Sequence, residues 1–299
     1  MEVRKMKKLI LVLAGLALLT GYCLAQELEY FKLYRPAAGM SADEIMRIKY
    51  FNKYALFAHD LFYTGKAYFI DKSGATRERT TARERINLGR KSDGIAYKDF
   101  TLFTGPLQVK GMGILSWTYL DPTREQDAWI WLPSLKKVRK ISASQSDDSF
   151  LGSDFTVEDI STRRFEDETY KLVKEENFPG CTSEFKKTTY YKDEPCFVIE
   201  ATPKRANWYY AKRLVWVDKK YGNNIYEEKY DSKGQKFQTI FRWYEVYNVD
   251  GQEFPLQMYL EGKNLRTGHT TEIINDTANI NKGLPEEDFT EAALARQRW

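Results

Sequence analysis

The sequence predicts a mainly β protein built on one long, strongly curved antiparallel sheet with few helices. Aromatic residues are abundant, with 7 Trp, 20 Tyr and 17 Phe in 299 residues, and aromatic and β-branched side chains favour strands. Alternating apolar and polar segments are separated by short turn sequences, while helix-favouring runs are few. No linker rich in Gly, Ser or Pro divides the chain, so we expect one domain after the N-terminal segment.

The N-terminal segment has the pattern of a secretory signal. The first eight residues carry four cations, an unbroken apolar run follows, and Cys23-Leu24-Ala25 forms a cleavage site of the small-x-small type. These features predict a signal peptide at 1–25, cleaved after Ala25, and a single domain at 26–299. A retained membrane anchor is the alternative, but the apolar run is short for a bilayer span.

Charge and cysteine usage limit the partners and the redox state. The formal charge of +4 loses four cations and one acid with the signal, which leaves +1 and gives no argument for nucleic-acid binding. Cys181 and Cys196 remain after cleavage. Two cysteines in an exported protein predict one disulfide, with two free buried thiols as the alternative.

The predicted helices are short. Two lie near the ends of the chain, and Thr156-Val-Glu-Asp159 is a capping box that starts one helical turn between them. Ser41-Ala-Asp-Glu44 is a capping box, and apolar residues follow it at helical spacing, so we expect a helix of about three turns. A second short helix is expected after Gly283-Leu-Pro285.

Between these helices the sequence predicts strands joined by tight turns. The long run 236–249 places Phe237, Phe241, Trp243, Tyr247 and Val249 on one face, and "FPLQMYLEGKN" follows as its antiparallel neighbour. Four segments have turn composition between alternating or apolar runs: 71–74, 133–136, 231–234 and 248–251.

Sequence motifs for metal, cofactor or nucleophilic chemistry are missing or incomplete. His59 and His269 each stand alone, and no P-loop, dinucleotide fingerprint or Gly-x-Ser-x-Gly appears. An EF-hand reading would start at Asp147, but Ser149 and Leu151 occupy two of its ligand positions. We therefore expect no metal, no cofactor and no catalytic centre, although acids clustered between 147 and 159 keep a glycosidase-type hydrolase open.

The central segment "DAWIWLPSLKKVRKISASQSDDSFLGSDFTVEDI" (127–160) resembles the signature of the LolA-like outer-membrane lipoprotein-sorting protein family. Supporting matches are "PLQVKGMGILSWTY", "RLVWVDK", "YDSKGQ" and "NKGLPEEDFT", so the resemblance covers nearly all of the mature chain. The chain is more similar to the branch associated with RND-type transporters than to the lipoprotein chaperone. The cysteine pair has no counterpart in the family motif.

The resemblance implies a fold, a cargo and a compartment. The implied fold is an open antiparallel half-barrel with a few short helices covering its concave face. The implied function is a non-catalytic periplasmic carrier of lipid or lipoprotein acyl chains, with transient membrane contact and an inner-membrane RND-type transporter as partner. We expect ten apolar side chains to line the lipid cavity: Leu115, Trp117, Trp129, Trp131, Trp216, Phe241, Trp243, Leu256, Met258 and Leu260.

The loop 147–156 is predicted to be a gate over the cavity. Its bulky apolar residues are costly to expose and should rest on another apolar surface. Its acids suit turn and cap positions, and Gly152 allows a tight bend. The alternative is that the apolar residues only fill the core. The predicted gate residues are Asp147, Asp148, Phe150, Leu151, Gly152, Asp154 and Phe155.

Two other functional classes fit the sequence. An envelope structural or interaction module would have a filled core and no cavity large enough for an acyl chain. A secreted carbohydrate-binding or hydrolytic β protein would show exposed aromatic stacking surfaces and a pair of facing carboxylates.

Overall fold

The structure, a computed structural model, describes residues 28–90, 93–141, 148–160 and 163–296. Within these ranges the chain forms fifteen strands, which alternate with short turns. The predicted signal peptide and its cleavage site lie outside the described residues. The strands are β1 Asp60–Ile70, β2 Thr76–Asn87, β3 Ile95–Gly105, β4 Gly113–Tyr119, β5 Asp127–Leu132, β6 Lys137–Ile141, β7 Glu168–Phe178, β8 Cys181–Thr182, β9 Thr189–Tyr190, β10 Glu194–Pro203, β11 Lys212–Asp218, β12 Asn224–Tyr230, β13 Lys236–Val249, β14 Gln252–Asn264 and β15 His269–Ile280.

Thirteen of these strands form one open antiparallel sheet, as the sequence predicts. Their order is β6-β5-β4-β3-β2-β1-β15-β14-β13-β12-β11-β10-β7, and β8 pairs with β9 in a separate hairpin. The sheet is not closed into a barrel. It consists of two meanders joined where β1 pairs with β15, for example Leu61 with Ile280. All four predicted turn segments connect neighbouring strands and are confirmed.

The two edges of the sheet are joined by a chain segment that crosses one face. Strands β6 and β7 follow each other in sequence but lie at opposite edges. The chain between Ile141 and Glu168 must therefore span the sheet. We call its described part, 148–160 and 163–167, the crossing segment; it contains helix α2 (Val157–Ile160). The predicted gate loop thus belongs to the one connection that bridges the sheet's two edges.

Helix α1 (Ala42–Lys53) lies on the same face as the crossing segment. Its predicted capping box is confirmed, since the side chains of Ser41 and Glu44 each accept from the other residue's backbone N–H. The helix packs Ile45 and Met46 against strands from both halves of the sheet, β3 on one side and β10 and β11 on the other. Such packing requires a curved sheet, and this face is its concave face. None of the helices in the described ranges is long and apolar enough to cross a membrane.

The opposite, convex face is covered by two other segments. Helix α3 (Glu291–Arg296), the predicted C-terminal helix, packs Leu294 against Leu115 and Trp129. The β8–β9 hairpin covers the other half, where Tyr190 lies 5.7 Å from Phe241 between ring centroids. Both faces of the sheet therefore bury apolar side chains, and alternation along a strand does not reveal which face holds a cavity.

Replacement of Leu294 by Ala tests the cover of the convex face. Leu294 is 1% exposed, so we expect the variant to lose about 2–5 kcal/mol of unfolding free energy. Leu265→Ala is the control, because Leu265 is 47% exposed and its truncation should cost less than about 0.5 kcal/mol. Urea unfolding followed by circular dichroism measures both. Equal losses in the two variants would contradict the packing of this helix.

Candidate functional site

A cavity of about 1170 Å³ occupies the concave face. Strands β1–β6 and β13–β15 form its floor, while helix α1 and the crossing segment lie over it. The volume lies just above the usual range for small-molecule sites in proteins, which is about 300–1000 Å³. The curved sheet and its cross-chain connection together create this space.

Part of the cavity wall is apolar. Leu256 and Leu260 were predicted to line it, and both do. Other apolar lining residues come from strands in both halves of the sheet, from the N-terminal segment and from the crossing segment. They include Tyr30, Leu61, Phe69, Phe103, Ile114, Ile130, Ile141, Phe150, Leu151, Ile160 and Ile273.

Four of the predicted lining residues lie on the convex face instead. Leu115, Trp117, Trp129 and Trp131 pack against the C-terminal segment, together with Phe289. The Trp117 indole N–H donates to the Phe289 carbonyl at 3.0 Å. On the same strands Ile114, Ile130 and their same-face neighbours line the cavity. The alternating pattern correctly groups the side chains of each strand by face. The bulkier group, however, lies on the convex face and not on the face that lines the cavity.

The remaining four predicted lining residues also lie outside the cavity. Trp216 belongs to a convex-face cluster, and its indole N–H donates to Glu176 at 2.8 Å. Phe241 and Trp243 pack beneath Tyr190 of the β8–β9 hairpin. Met258 packs with residues that follow helix α1, away from the cavity lining. The sequence does not specify that a hairpin folds back over the aromatic face of β13.

The crossing segment begins its described part with a compact hairpin. Ser149 and Thr156 form an isolated bridge, and the backbone N–H of Phe150 donates to the Phe155 carbonyl at 2.8 Å. Leu151 and Gly152 form the tip with φ of 51° and 78°. The predicted bend at Gly152 is thus present. Asp148 is exposed at the start of the hairpin, and Asp147 lies outside the described residues.

The hairpin is fixed to the sheet at three points. Phe155 is 1% exposed and packs on Ile240 and Leu260. Its ring lies over Gly262, where an added Cβ would come within 2.5 Å of it. The carboxylate of Asp154 pairs with His269 and accepts from the Thr271 hydroxyl at 2.7 Å. Phe150 and Leu151 stay half-buried and line the cavity.

Helix α2 is anchored by buried ion pairs. Thr156 and Asp159 form a reciprocal cap, with backbone-to-side-chain distances of 3.0 and 3.2 Å. Lys229 donates to both Asp159 oxygens at 2.6 and 2.8 Å, and Arg163 reaches Asp159 at 3.1 Å. Burial acts to raise the pKa of Asp159, but Lys229 and Arg163 outweigh it and hold the pKa well below its usual range. The crossing segment is therefore tied to β12 by charge.

The ion-pair cluster continues beneath helix α1. Arg213 bridges Glu168 and Glu227, with N–O distances of 2.5 and 2.6 Å, and all three side chains are at most 1% exposed. Arg242 pairs with the other Glu227 oxygen at 2.8 Å. Burial acts to raise the pKa of Glu168, but Arg213 and Arg163 outweigh it and lower the pKa to about 2. This cluster makes one wall of the cavity rigid and charged.

Sequence reasoning missed a row of arginines on β2. The strand reads "TRERTTARERIN", and Arg79, Arg83 and Arg85 all line the cavity together with Thr81. Their two-residue spacing places them on one face of the strand. That spacing was visible in the sequence, but the cavity was expected to be lined by apolar residues only.

The predicted disulfide is not present in the structure. Among the described residues, Cys181 and Cys196 are both free, with Cys181 in β8 and Cys196 buried in β10. Both contact the same convex-face cluster. Burial raises the pKa of the Cys181 thiol to about 12 and raises that of Cys196 as well. The two thiols are therefore in an environment that disfavours the reactive thiolate.

The described residues hold no group of three or more His, Cys, Asp or Glu side chains placed to bind a metal ion. Glu158 and Asp159 are the acids deepest in the cavity wall, and both pair with Arg163. The arrangement provides a large cavity with an apolar part and a cationic part.

The architecture defines a class of protein. Solved structures of LolA-like proteins share this open antiparallel sheet with few short helices. A domain assigned to the outer membrane lipoprotein-sorting proteins of Vibrio parahaemolyticus superposes with a TM-score of 0.66 at 26% identity, covering 79% of this chain and 92% of that one. A DUF1329 family protein from Desulfovibrio piger gives 0.67 at 23% identity, covering 81% and 93%.

The family assignment rests on sequence as well as on fold. A LolA superfamily protein from Nitrosomonas europaea matches with a TM-score of 0.56 at 18% identity, covering 85% of this chain and all of that one. A family model described as "Uncharacterized protein" matches residues 96–296. No curated protein matches the sequence. The chain belongs to the family of this model, and its fold is LolA-like, as the central motif predicts.

The buried ion-pair cluster makes the free energy of unfolding depend on pH in the acidic range. The pKa of Glu168 is about 2 in the folded protein and 4.5 when unperturbed. Its stabilising contribution is therefore complete above about pH 5 and is lost as the pH falls toward 2. In Glu168→Gln, the drop in unfolding free energy between about pH 5 and pH 3 should be smaller by on the order of 2 kcal/mol.

The matched control for this experiment is Glu166→Gln, two residues away and exposed. Its pH dependence of unfolding, measured by urea titration at each pH, should follow that of the unmodified protein. Parallel pH profiles for all three proteins would show that Glu168 is not held ionised by Arg213.

Proposed function

We propose that this protein is a non-catalytic periplasmic carrier that binds the acyl chains of a lipid or lipoprotein in the concave cavity. The single observation that supports this most strongly is the cavity of about 1170 Å³ with apolar walls from strands in both halves of the sheet. The likeness of the fold to a lipoprotein-sorting protein domain supports it. The N-terminal signal pattern supports the compartment.

The energetics favour a lipid tail as the occupant. Burying each CH₂ group of an acyl chain is worth about 0.8 kcal/mol. A chain of about a dozen carbons therefore supplies several kcal/mol, which is enough for retention and still allows transfer to another apolar surface. The open sheet provides an exit that a closed barrel would lack.

The structure weakens both alternative functions. A filled structural module has no use for an open space of this size. A carbohydrate-binding protein needs exposed aromatic platforms, but Trp129 and Trp216 are 6% and 8% exposed. Among the described residues, the exposed large apolar side chains include no tryptophan. The tryptophan-rich strands therefore serve packing of the convex face.

The tip of the crossing hairpin is the part we propose as a gate. Phe150 and Leu151 line the cavity without being buried, whereas Phe155 is packed as core. The Leu151 carbonyl accepts from the Arg79 guanidinium at 2.9 Å, which holds the tip against β2. A lipid entering beneath the tip would break this contact. Cargo then shifts the tip between closed and open positions through its different affinity for them.

Transfer of cargo requires a second apolar surface. We propose an inner-membrane transporter of the RND type, reached through transient membrane contact, as the donor or acceptor. The support is the resemblance of the central motif to that branch of the family.

A bulky side chain inside the cavity should weaken the binding of lipid. Ala67 lines the cavity between strands β2 and β15, while its neighbour Lys66 lies outside the lining and pairs with Glu78. Ala67→Trp should weaken the binding of a fluorescent fatty acid by at least about tenfold, a loss of about 1.4 kcal/mol. The control Lys66→Trp adds the same bulk one residue away and should bind normally. Circular dichroism confirms that both variants fold. Unchanged affinity in Ala67→Trp would mean that the cavity is not the binding site.

The gate is tested at Leu151 rather than at Phe155. Leu151→Ser should speed the exchange of bound fluorescent lipid into vesicles while unfolding free energy changes little, because Leu151 is only half-buried. Phe155→Ser should instead lose about 3–5 kcal/mol of stability, as buried Phe truncations do. Leu265→Ser, at an exposed turn, is the control for the effect of placing a polar side chain on the surface. Exchange rates equal to the control in Leu151→Ser would remove the gate and leave the cavity unaffected.

A further inference from the structure

We propose that the cargo is an amphiphile with an anionic head group, and that Arg83 of β2 binds this head group inside the cavity. The inference rests on the proposed carrier function and names the chemical class of its cargo. Phosphate, sulfate and carboxylate share the required chemistry, which is a compact group of negatively charged oxygens.

The cavity concentrates positive charge that the chain as a whole lacks. Among the residues that the structure describes, twelve cationic and seven anionic side chains line the cavity. The mature chain is nearly neutral by comparison. A purely hydrocarbon cargo gains nothing from such a wall, because charged groups facing an apolar ligand lose hydration without compensation.

Two of the arginines in the cavity wall are already neutralised by buried carboxylates. Arg163 and Arg242 pair with Glu158, Asp159 and Glu227 in the buried cluster. These arginines are structural and have little capacity left for a ligand.

The arginines of β2 are under-neutralised. Arg83 and Arg85 both pair with Asp99, at N–O distances of 2.8 and 2.5 Å, so two guanidinium groups share one carboxylate. Arg85 is held further by its bond to the Tyr54 carbonyl, whereas the Arg83 side chain is 42% exposed. Arg79 has no carboxylate partner among the described residues and donates only to the neutral Leu151 carbonyl. An anion beside Arg83 would therefore meet uncompensated positive charge, to which Arg79 adds at longer range.

The surroundings of these arginines fit a head group attached to a tail. Thr81 lies between them on β2, and Thr101, paired with Arg83, and Ser116 line the same wall from β3 and β4. Arginine binds oxyanions through paired, charge-assisted hydrogen bonds, and hydroxyls add further donors. Apolar residues border this polar strip, with Phe103 on β3 and Ile114 on β4. A head group at the strip leaves the tail against these apolar strands.

The test compares two lipids that differ only at the head. Lysophosphatidate presents an open phosphate, while lysophosphatidylcholine with the same acyl chain has its phosphate capped by choline. Isothermal titration below the critical micelle concentration should give at least about tenfold tighter binding of lysophosphatidate, the size expected from one charge-assisted contact. Inorganic phosphate, titrated alone, should bind at least about a hundredfold more weakly, because it lacks the tail.

Two variants on β2 distinguish a direct contact between arginine and head group from a long-range effect of positive charge. Arg83→Gln should reduce the preference for lysophosphatidate to about threefold or less, because lysophosphatidate loses more affinity than lysophosphatidylcholine does. Arg77→Gln is the matched control, since Arg77 lies on the same strand and face but is exposed and outside the cavity lining. It should keep the full preference.

Each outcome has a defined meaning. Equal affinities for the two lysolipids, or an undiminished preference in Arg83→Gln, would overturn the head-group site and leave the carrier function standing. Phosphate alone binding as tightly as lysophosphatidate would identify a free-anion site and also overturn the proposal. Binding of neither lysolipid, with the protein folded, would overturn the carrier function itself.

Discussion

The fold depends on the connection between the two edges of the sheet. Because β6 and β7 are consecutive in sequence but lie at opposite edges, the chain between them has to cross the concave face. The buried pairs of Asp159 with Lys229 and Arg163 hold that crossing in place. Removing one partner of such a pair is costly, since it leaves an unpaired buried charge. The cavity exists because the crossing segment, held in place by these pairs, spans the curved sheet without filling the space between them.

The two faces of the sheet differ in how their side chains are packed. The convex face buries the tryptophans of β4 and β5 under the C-terminal helix and the aromatic side chains of β13 under the β8–β9 hairpin. The concave face combines a rigid ionic wall with an apolar wall and an arginine row. The packing of the convex face, the packing of helix α1 and the ionic cluster together stabilise the fold, which leaves the apolar lining of the cavity available for a ligand.

The sequence predicts the architecture well and the cavity poorly. Turn chemistry and the capping box at Ser41 fix local elements, so the strands, the hairpins and helix α1 follow from short-range patterns. Alternation groups Leu115 with Trp117, and Ile114 with Ser116, but both faces are covered and alternation cannot say which faces the cavity. The pairing of Glu168 with Arg213 joins residues 45 apart in sequence, and no local signal marks it. The row of arginines on β2 is visible in the sequence from its spacing, but arginines were not expected in a lipid-binding site.

The central claim is that the concave cavity holds a lipid tail, and native mass spectrometry tests it most directly. The protein should be isolated from its own cell envelope without detergent and sprayed intact. We expect a bound species whose fragmentation yields acyl chains, present in a one-to-one ratio and lost from the Ala67→Trp variant. Repeated spectra of the ligand-free protein alone, from a correctly folded sample, would contradict the account.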